Sequence, residues 1–183
     1  MEASLNDRFR KAMCIIYEMF ITHRGYDRIS HVMERQNVFM IDKGAGENPM
    51  ESVLILLLGS DKLNIDGVKE MINIMSEYNI RHGVMIYQNS ITSSARKALD
   101  LLYQYRIELF ALHELQYDIT KHKYFCPHEK VESLSELGFL TNQIQKLPRI
   151  LISDPVVRYF GFAKGDVIRI RRPNHTIAYR VVK

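Results

Sequence analysis

The chain has little cysteine, little proline and no long apolar run, and each scarcity removes a class of protein. Its two cysteines, Cys14 and Cys126, stand far apart with no CxxC pair. That argues against a disulfide scaffold and for a reducing compartment. The longest purely apolar run, Val53 to Leu58, is far too short to cross a bilayer. Charges throughout Asp7-Arg8-Phe9-Arg10-Lys11 break up any signal-peptide core, so the chain reads as soluble and intracellular. There is no internal repeat, low-complexity segment, glycine-rich phosphate loop or nucleophile elbow.

What is present is ordinary in amount and uneven in placement. The 183 residues, 46% hydrophobic, suffice for one medium domain or two small ones. The net charge of +4 hides an asymmetry. From Lys146 onward nine Lys or Arg face two acids, which leaves 16 basic against 19 acidic residues before it. A basic C-terminal segment faces nucleic acid, an acidic protein or simply water.

Phe9, Met13, Ile16, Tyr17 and Phe20 recur at helical spacing, with Asn6 as N-cap and Gly25 as stop, so the chain is expected to open with an amphipathic helix. Asp27 to Gln36 is polar and ambiguous, Val38 to Ile41 reads as a strand, and Asp42 to Pro49 as a flexible loop. Val53 to Leu58 suits a strand buried on both faces. A helix capped by Asp66 follows, with Val68, Met71, Ile72 and Met75 inward. Gly83 to Tyr87 is a second buried strand. A helix from Thr92 or Ser93 turns Ala95, Ala98, Leu99 and Leu102 inward, and Ile107 to Leu112 is a third strand. This alternation argues for an α/β layered domain. Beyond it, Tyr117 to His128 has β-like alternation and Ser133 to Leu137 reads as a short helix. The expected boundary is near Leu112-His113, giving domains 1–112 and 113–183.

The densest local instructions lie between Leu147 and Arg172. Pro148 and Pro155 push their preceding residues into extended backbone. Asp154-Pro155 reads as an N-cap with proline at the first helical position, Gly161 as the stop, and Ala163 to Asp166 as a turn. Val167-Ile168-Arg169-Ile170-Arg171 alternates like a strand with one cationic face.

Leu147-Pro148-Arg149-Ile150, Ser153-Asp154-Pro155-Val156, Arg158-Tyr159, Gly161, Lys164-Gly165 and Val167-Ile168 resemble the assembly module of the jaw subunit shared by eukaryotic nuclear RNA polymerases, their fifth-largest, which has an archaeal counterpart. Ile170 to Pro173 and Tyr179 to Val182 resemble it too, and so do Arg24-Gly25-Tyr26 and Gly83 to Thr92 in the N-terminal jaw that only eukaryotic members carry. The spans Asn48 to Val53, His128 to Leu147 and Pro173 to Thr176 are shorter than the family pattern.

The resemblance implies an inactive, restriction-endonuclease-like α/β jaw followed by a small α+β assembly domain. It implies a non-catalytic subunit of DNA-directed RNA polymerase that anchors on the largest subunit and forms the lower jaw beside downstream DNA. No cofactor, metal, membrane or small-molecule substrate is implied. A shared nuclear polymerase implies the nucleus; shortened relatives in large DNA viruses fit the same pattern. The expected assembly interface is Pro148, Arg149, Asp154, Pro155, Arg158, Tyr159, Gly161, Gly165, Arg169, Arg171, Tyr179 and Arg180. Its arginines suit the carboxylates of a partner chain.

The DNA-proximal candidates are Asn89, Ser90, Thr92, Ser93, Arg96 and Lys97, where a helix N-terminus suits a phosphate. Non-specific backbone contact is the mode expected of an enzyme that passes over any sequence. Helix capping explains the hydroxyls equally well. Two other classes remain alternatives: a metal-dependent nuclease, for which Asp61-Lys62 supplies one acid near one lysine, and a free-standing basic nucleic-acid-binding module. His122, Cys126 and His128 are zinc-ligand types without a fourth partner at regular spacing, and Cys126 reads better as a small hydrophobe.

Overall fold

The computed structural model describes residues 4–31, 35–43, 51–133, 138 and 144–183. The chain divides into two compact units, Met1–Tyr117 and Asp118–Lys183. Both mix helix and strand.

The first unit opens with helix α1, Leu5–Tyr17, continued by a π-helical turn, Glu18–His23. Ser4, not Asn6, is the N-cap: its hydroxyl oxygen accepts from the Asp7 N–H, and its O–H donates to the Asp7 carboxylate at 2.7 Å. That reciprocal pair puts the cap two residues before Asn6, which sits inside the first turn. The buried stripe is Ala12, Ile16, Met19 and Phe20; Tyr17, expected inward, is exposed. A π turn re-phases a helix, and here it sets the stripe on Met19 and Phe20. Gly25, at φ 71°, turns the chain out of it.

Then come β1 (Arg28–His31), β2 (Val38–Asp42), β3 (Val53–Leu57), the two-residue β4 (Lys62–Leu63), α2 (Ile65–Glu77), β5 (His82–Tyr87), β6 (Ser90–Ile91), α3 (Ser93–Asp100) and β7 (Arg106–Ala111). The main sheet has the order β1-β2-β3-β5-β7, antiparallel through β3 and parallel beyond it. Every residue of β3 is buried, as its unbroken apolar run requires of a strand flanked on both sides. The ambiguous polar stretch supplies β1, an edge strand, where polar residues discourage further pairing.

Asn64, not Asp66, caps α2. Its side-chain oxygen accepts from the Gly67 N–H at 3.0 Å, while Asp66 lies within the first turn and pairs with Lys69 at the surface. Val68, Met71, Ile74 and Met75 pack from α2 onto the sheet, with Ile72 at the margin. Gly83 lets the two methionines lie close on the strand: a Cβ would stand 2.2 Å from the Met71 Cε and 2.9 Å from the Met75 Sδ, and both side-chain ends would have to shift.

Of the span Tyr117 to His128, whose alternation suggests a strand, only His128 lies in one. The Asp118 carboxylate accepts from both the N–H and the hydroxyl of Thr120, folding Ile119–Lys121 into a 3-10 turn. Strands follow as β8 (His128–Lys130), β9 (Arg149–Ile150), β10 (Val167–Arg171) and β11 (Ile177–Val182), with helix α4 (Pro155–Phe160) between β9 and β10. The sheet order is β8-β10-β11-β9, antiparallel except for the β11–β9 pair. Ile150, Val157, Ile168, Ile170 and Val182 form its core. The expected helix at Ser133 to Leu137 and most of the Asp42 to Pro49 loop lie outside the described residues.

Candidate assembly surface and nucleic-acid interface

The stretch from Pro148 to Arg180 folds as its local chemistry dictates. Asp154 Oδ1 accepts from the Val156 N–H at 2.8 Å, Pro155 opens α4, and Gly161 ends it at φ 69°. The Phe162 N–H then closes the cap on the Val157 carbonyl. Gly165, at φ 94°, makes the turn into β10. Pro148, Arg149, Pro155, Gly165 and Arg171 are exposed, whereas Asp154, Arg158, Gly161, Arg169, Tyr179 and Arg180 are half-buried. Tyr159 is only 5% exposed. From α4 it turns inward, edge-on to Phe160, and offers little surface to a partner.

The arginine stripe is already engaged within the chain. Arg169 donates through Nε and Nη2 to Glu129 Oε2 at 3.2 and 2.9 Å, and Arg171 Nη2 reaches the same oxygen at 3.1 Å. Those hydrogen bonds, from Arg171 and then Arg169, hold the Glu129 carboxyl below its usual range. Arg180 Nη1 donates to the Arg149 carbonyl at 3.0 Å. Glu129 lies on β8, forty residues before Arg169, and sequence reading missed it. The cross-strand register Arg169↔Glu129 is what brings them together.

In the first unit, Asn89, Ser90, Thr92, Ser93, Arg96 and Lys97 do cluster, on β6 and the start of α3. Thr92 is the cap of α3: its Oγ1 accepts from the Ala95 N–H at 3.2 Å. The Asn89 amide donates to Asp61 and the Gln88 amide to the Gly59 carbonyl. These bonds tie the loop after β5 to the loop after β3, and β4 pairs with β6 beside them. Ser93, Arg96 and Lys97 remain exposed. The Ser93 and Ser94 N–H groups stand in the first turn, where a helix has no internal acceptor to offer.

A buried charge cluster, absent from the sequence-based expectations, lies in the same unit. Glu108 on β7 accepts from Arg24 Nη1 and Nη2, both at 3.1 Å, from Arg106 at 3.1 Å, and pairs with His82 Nε2 at 2.8 Å. Arg24 also lies over the Phe20 ring, 4.2 Å from its centre. Burial by itself would raise the Glu108 pKa, but the hydrogen bond from His82 and the charge and bonds of Arg24 prevail and pull it down to about 2. Burial lowers the pKa of His82 in spite of Glu108. The sequence signal was an acid inside an apolar strand, Ile107-Glu108-Leu109-Phe110. With three basic groups around it, Glu108 is neutralised rather than poised to hold a cation.

Among the described residues no three His, Cys, Asp or Glu side chains converge as metal ligands. His122, Cys126 and His128 line one apolar hollow of about 390 Å³ with Phe125, Val156 and Ile170, and each imidazole has its Nδ1 in a local contact. His122 Nδ1 accepts from the Tyr124 N–H, and His128 Nδ1 meets the Cys126 carbonyl.

Residues 113–182 match the family model described as RNA polymerase Rpb5, C-terminal domain. The chain is 31% identical over 167 residues to the Caenorhabditis elegans "DNA-directed RNA polymerases I, II, and III subunit RPABC1", covering 85% of this chain and 78% of that one. It is 30% identical over 167 residues to the Dictyostelium discoideum subunit of the same name, covering 85% and 83%. An Arabidopsis thaliana "DNA-directed RNA polymerase subunit 5-like protein 1" is 29% identical over 81% of this chain and 74% of its own. Among solved structures, a DNA-bound type ISP restriction-modification enzyme overlays 78% of this chain and 10% of its own, at 12% identity and TM-score 0.45, too low to carry an argument. With that identity over more than three quarters of the animal subunits, the chain belongs to the Rpb5 family of DNA-directed RNA polymerase subunits, which are accessory to catalysis rather than catalytic.

Proposed function

We propose that the chain is the jaw subunit of a nuclear RNA polymerase, with residues 1–112 as a jaw beside downstream DNA and 113–183 as an assembly domain anchored on the largest subunit. The observation that carries the anchoring half is the family match across residues 113–182, which spans the unit holding Pro148 to Arg180. Phosphodiester chemistry belongs to other subunits in this reading. The inactive, restriction-endonuclease-like description of the jaw agrees with a parallel β3-β5-β7 core whose one buried acid is locked in ion pairs. Relatives named for polymerases I, II and III support a nuclear location in this reading.

DNA contact in this reading is to phosphates, made by the first turn of α3 together with Arg96 and Lys97, both exposed. Asn89 and Thr92 shape the loop rather than touch the duplex, since their polar atoms are engaged by Asp61 and Ala95. The test is the double variant Arg96→Glu/Lys97→Glu in reconstituted polymerase, with downstream-duplex affinity measured against salt. Loss of about two phosphate contacts flattens the slope of log affinity on log salt by about two units, equally for every sequence. An unchanged slope contradicts the DNA contact.

A further inference from the structure

Among the described residues no strand pairs with the outer edge of β9. Along this strand alternate residues turn their backbone toward β11: the Pro148 carbonyl accepts from the Val181 N–H at 3.0 Å, the Ile150 carbonyl from the Lys183 N–H at 2.9 Å, and the Ile152 N–H donates to the Lys183 carbonyl at 2.9 Å. Arg149 and Leu151 therefore turn theirs outward. Their carbonyls are each met once, by Arg180 Nη1 and by the Asp154 N–H, and each keeps a second lone pair. Their N–H groups have no acceptor among the described residues.

The side chains at this edge point to the nature of an occupant. Leu151 is 63% exposed and Ile152 48% exposed. Around them stand Arg149, Arg180 and Lys183, and from Leu147 to Ser153 there is no acid. The Asp154 carboxylate that follows is committed to capping α4. The opposite edge differs: β8 is His-Glu-Lys, with Glu129 and Lys130 both in ion pairs on their own chain. Charged edge strands resist an added strand, and exposed apolar side chains beside unpaired backbone donors invite one.

We propose that β9 receives an added strand: an extended, acidic-and-apolar segment of the polymerase subunit to which this unit anchors, accepting from the Arg149 and Leu151 N–H groups. This rests on the anchoring reading above and specifies its geometry. The added segment places an apolar side chain against Leu151 and carboxylates toward Arg149 and Arg180. Main-chain bonds supply the pairing and the flanking cations choose the partner.

Amide hydrogen exchange of the full chain, free and within purified polymerase, tests this on the peptide spanning residues 148–153. In the free chain Ile150 and Ile152 are protected and Arg149 and Leu151 exchange quickly; in the complex all four are protected. A complex that forms without added protection here overturns the strand addition and leaves the anchoring reading standing. Failure to enter the polymerase overturns both. Protection in the free chain that grows with its concentration means that two copies pair edge to edge, which also overturns it. As a second check, Leu151→Asp, at an exposed position, weakens capture of the polymerase about tenfold with unchanged circular dichroism. Undiminished capture counts against the proposal.

Discussion

The two units hold their arginines by the same chemistry at opposite depths. In the first, the Arg24 side chain is 6% exposed and answers Glu108 together with His82 and Arg106. In the second, Arg169 and Arg171 share Glu129 with side chains 27% and 54% exposed. Depth decides what each pairing is worth. A buried charge has no water to fall back on, so breaking its pair leaves an uncompensated ion; a surface pair is replaced by hydration at little loss. The first cluster therefore binds the end of the opening helix to β5 and β7, whereas the second sets side-chain direction at the surface of a sheet.

The sharpest way to break that contrast is Arg24→Ala. It strands Glu108 among fewer cations and is expected to destabilise the first unit by about 3–5 kcal/mol in urea unfolding. Acid titration examines the same cluster without mutation. Because the Glu108 pKa is depressed in the folded chain, its contribution is fully present above the unfolded value near 4.5 and is lost as pH falls toward about 2. The loss is about 3 kcal/mol over that window, and Glu108→Gln removes this part of the pH dependence. His82 acts in the same direction: its lowered pKa means that protonation favours the unfolded chain as pH drops below 6.5.

How legible this was depended on how local the cause is. The buried strands β3 and β5 announce themselves because a strand covered on both faces has nowhere to place a polar residue. The α4 segment is legible because Asp154, Pro155 and Gly161 each act on their own backbone. Helix starts were misplaced at Asn6 and Asp66, since several polar residues compete to cap and only backbone geometry selects Ser4 and Asn64. The Glu108 cluster draws on positions 24, 82, 106 and 108, and the Glu129 pairing on β8 and β10. Contacts of such separation arise from topology that single-chain periodicity does not encode. For the site, the family resemblance named Pro148, Arg149 and Arg171, which are exposed, but carried neither the burial of Tyr159 nor the partners the arginines already have.

A middle-sized effect is expected at the α4 cap, where Asp154→Ala leaves the Val156 N–H without its acceptor and costs about 1 kcal/mol in thermal unfolding of the second unit. The smallest is Glu129→Gln. Its carboxylate is 41% exposed, so the variant shifts stability by less than about 1 kcal/mol while loosening the Arg169 and Arg171 side chains, visible in their NMR relaxation. A loss as large as that of Arg24→Ala would erase the contrast between the units.

The central claim, that this chain is an anchored polymerase subunit, is tested most directly by native pull-down of the tagged chain with mass spectrometry of eluates at moderate and then high salt. The two large polymerase subunits are expected to co-elute and to persist at high salt, because an interface with apolar contacts and main-chain pairing outlasts screening. Recovery of the chain alone, or with nucleic acid that salt removes, would contradict it.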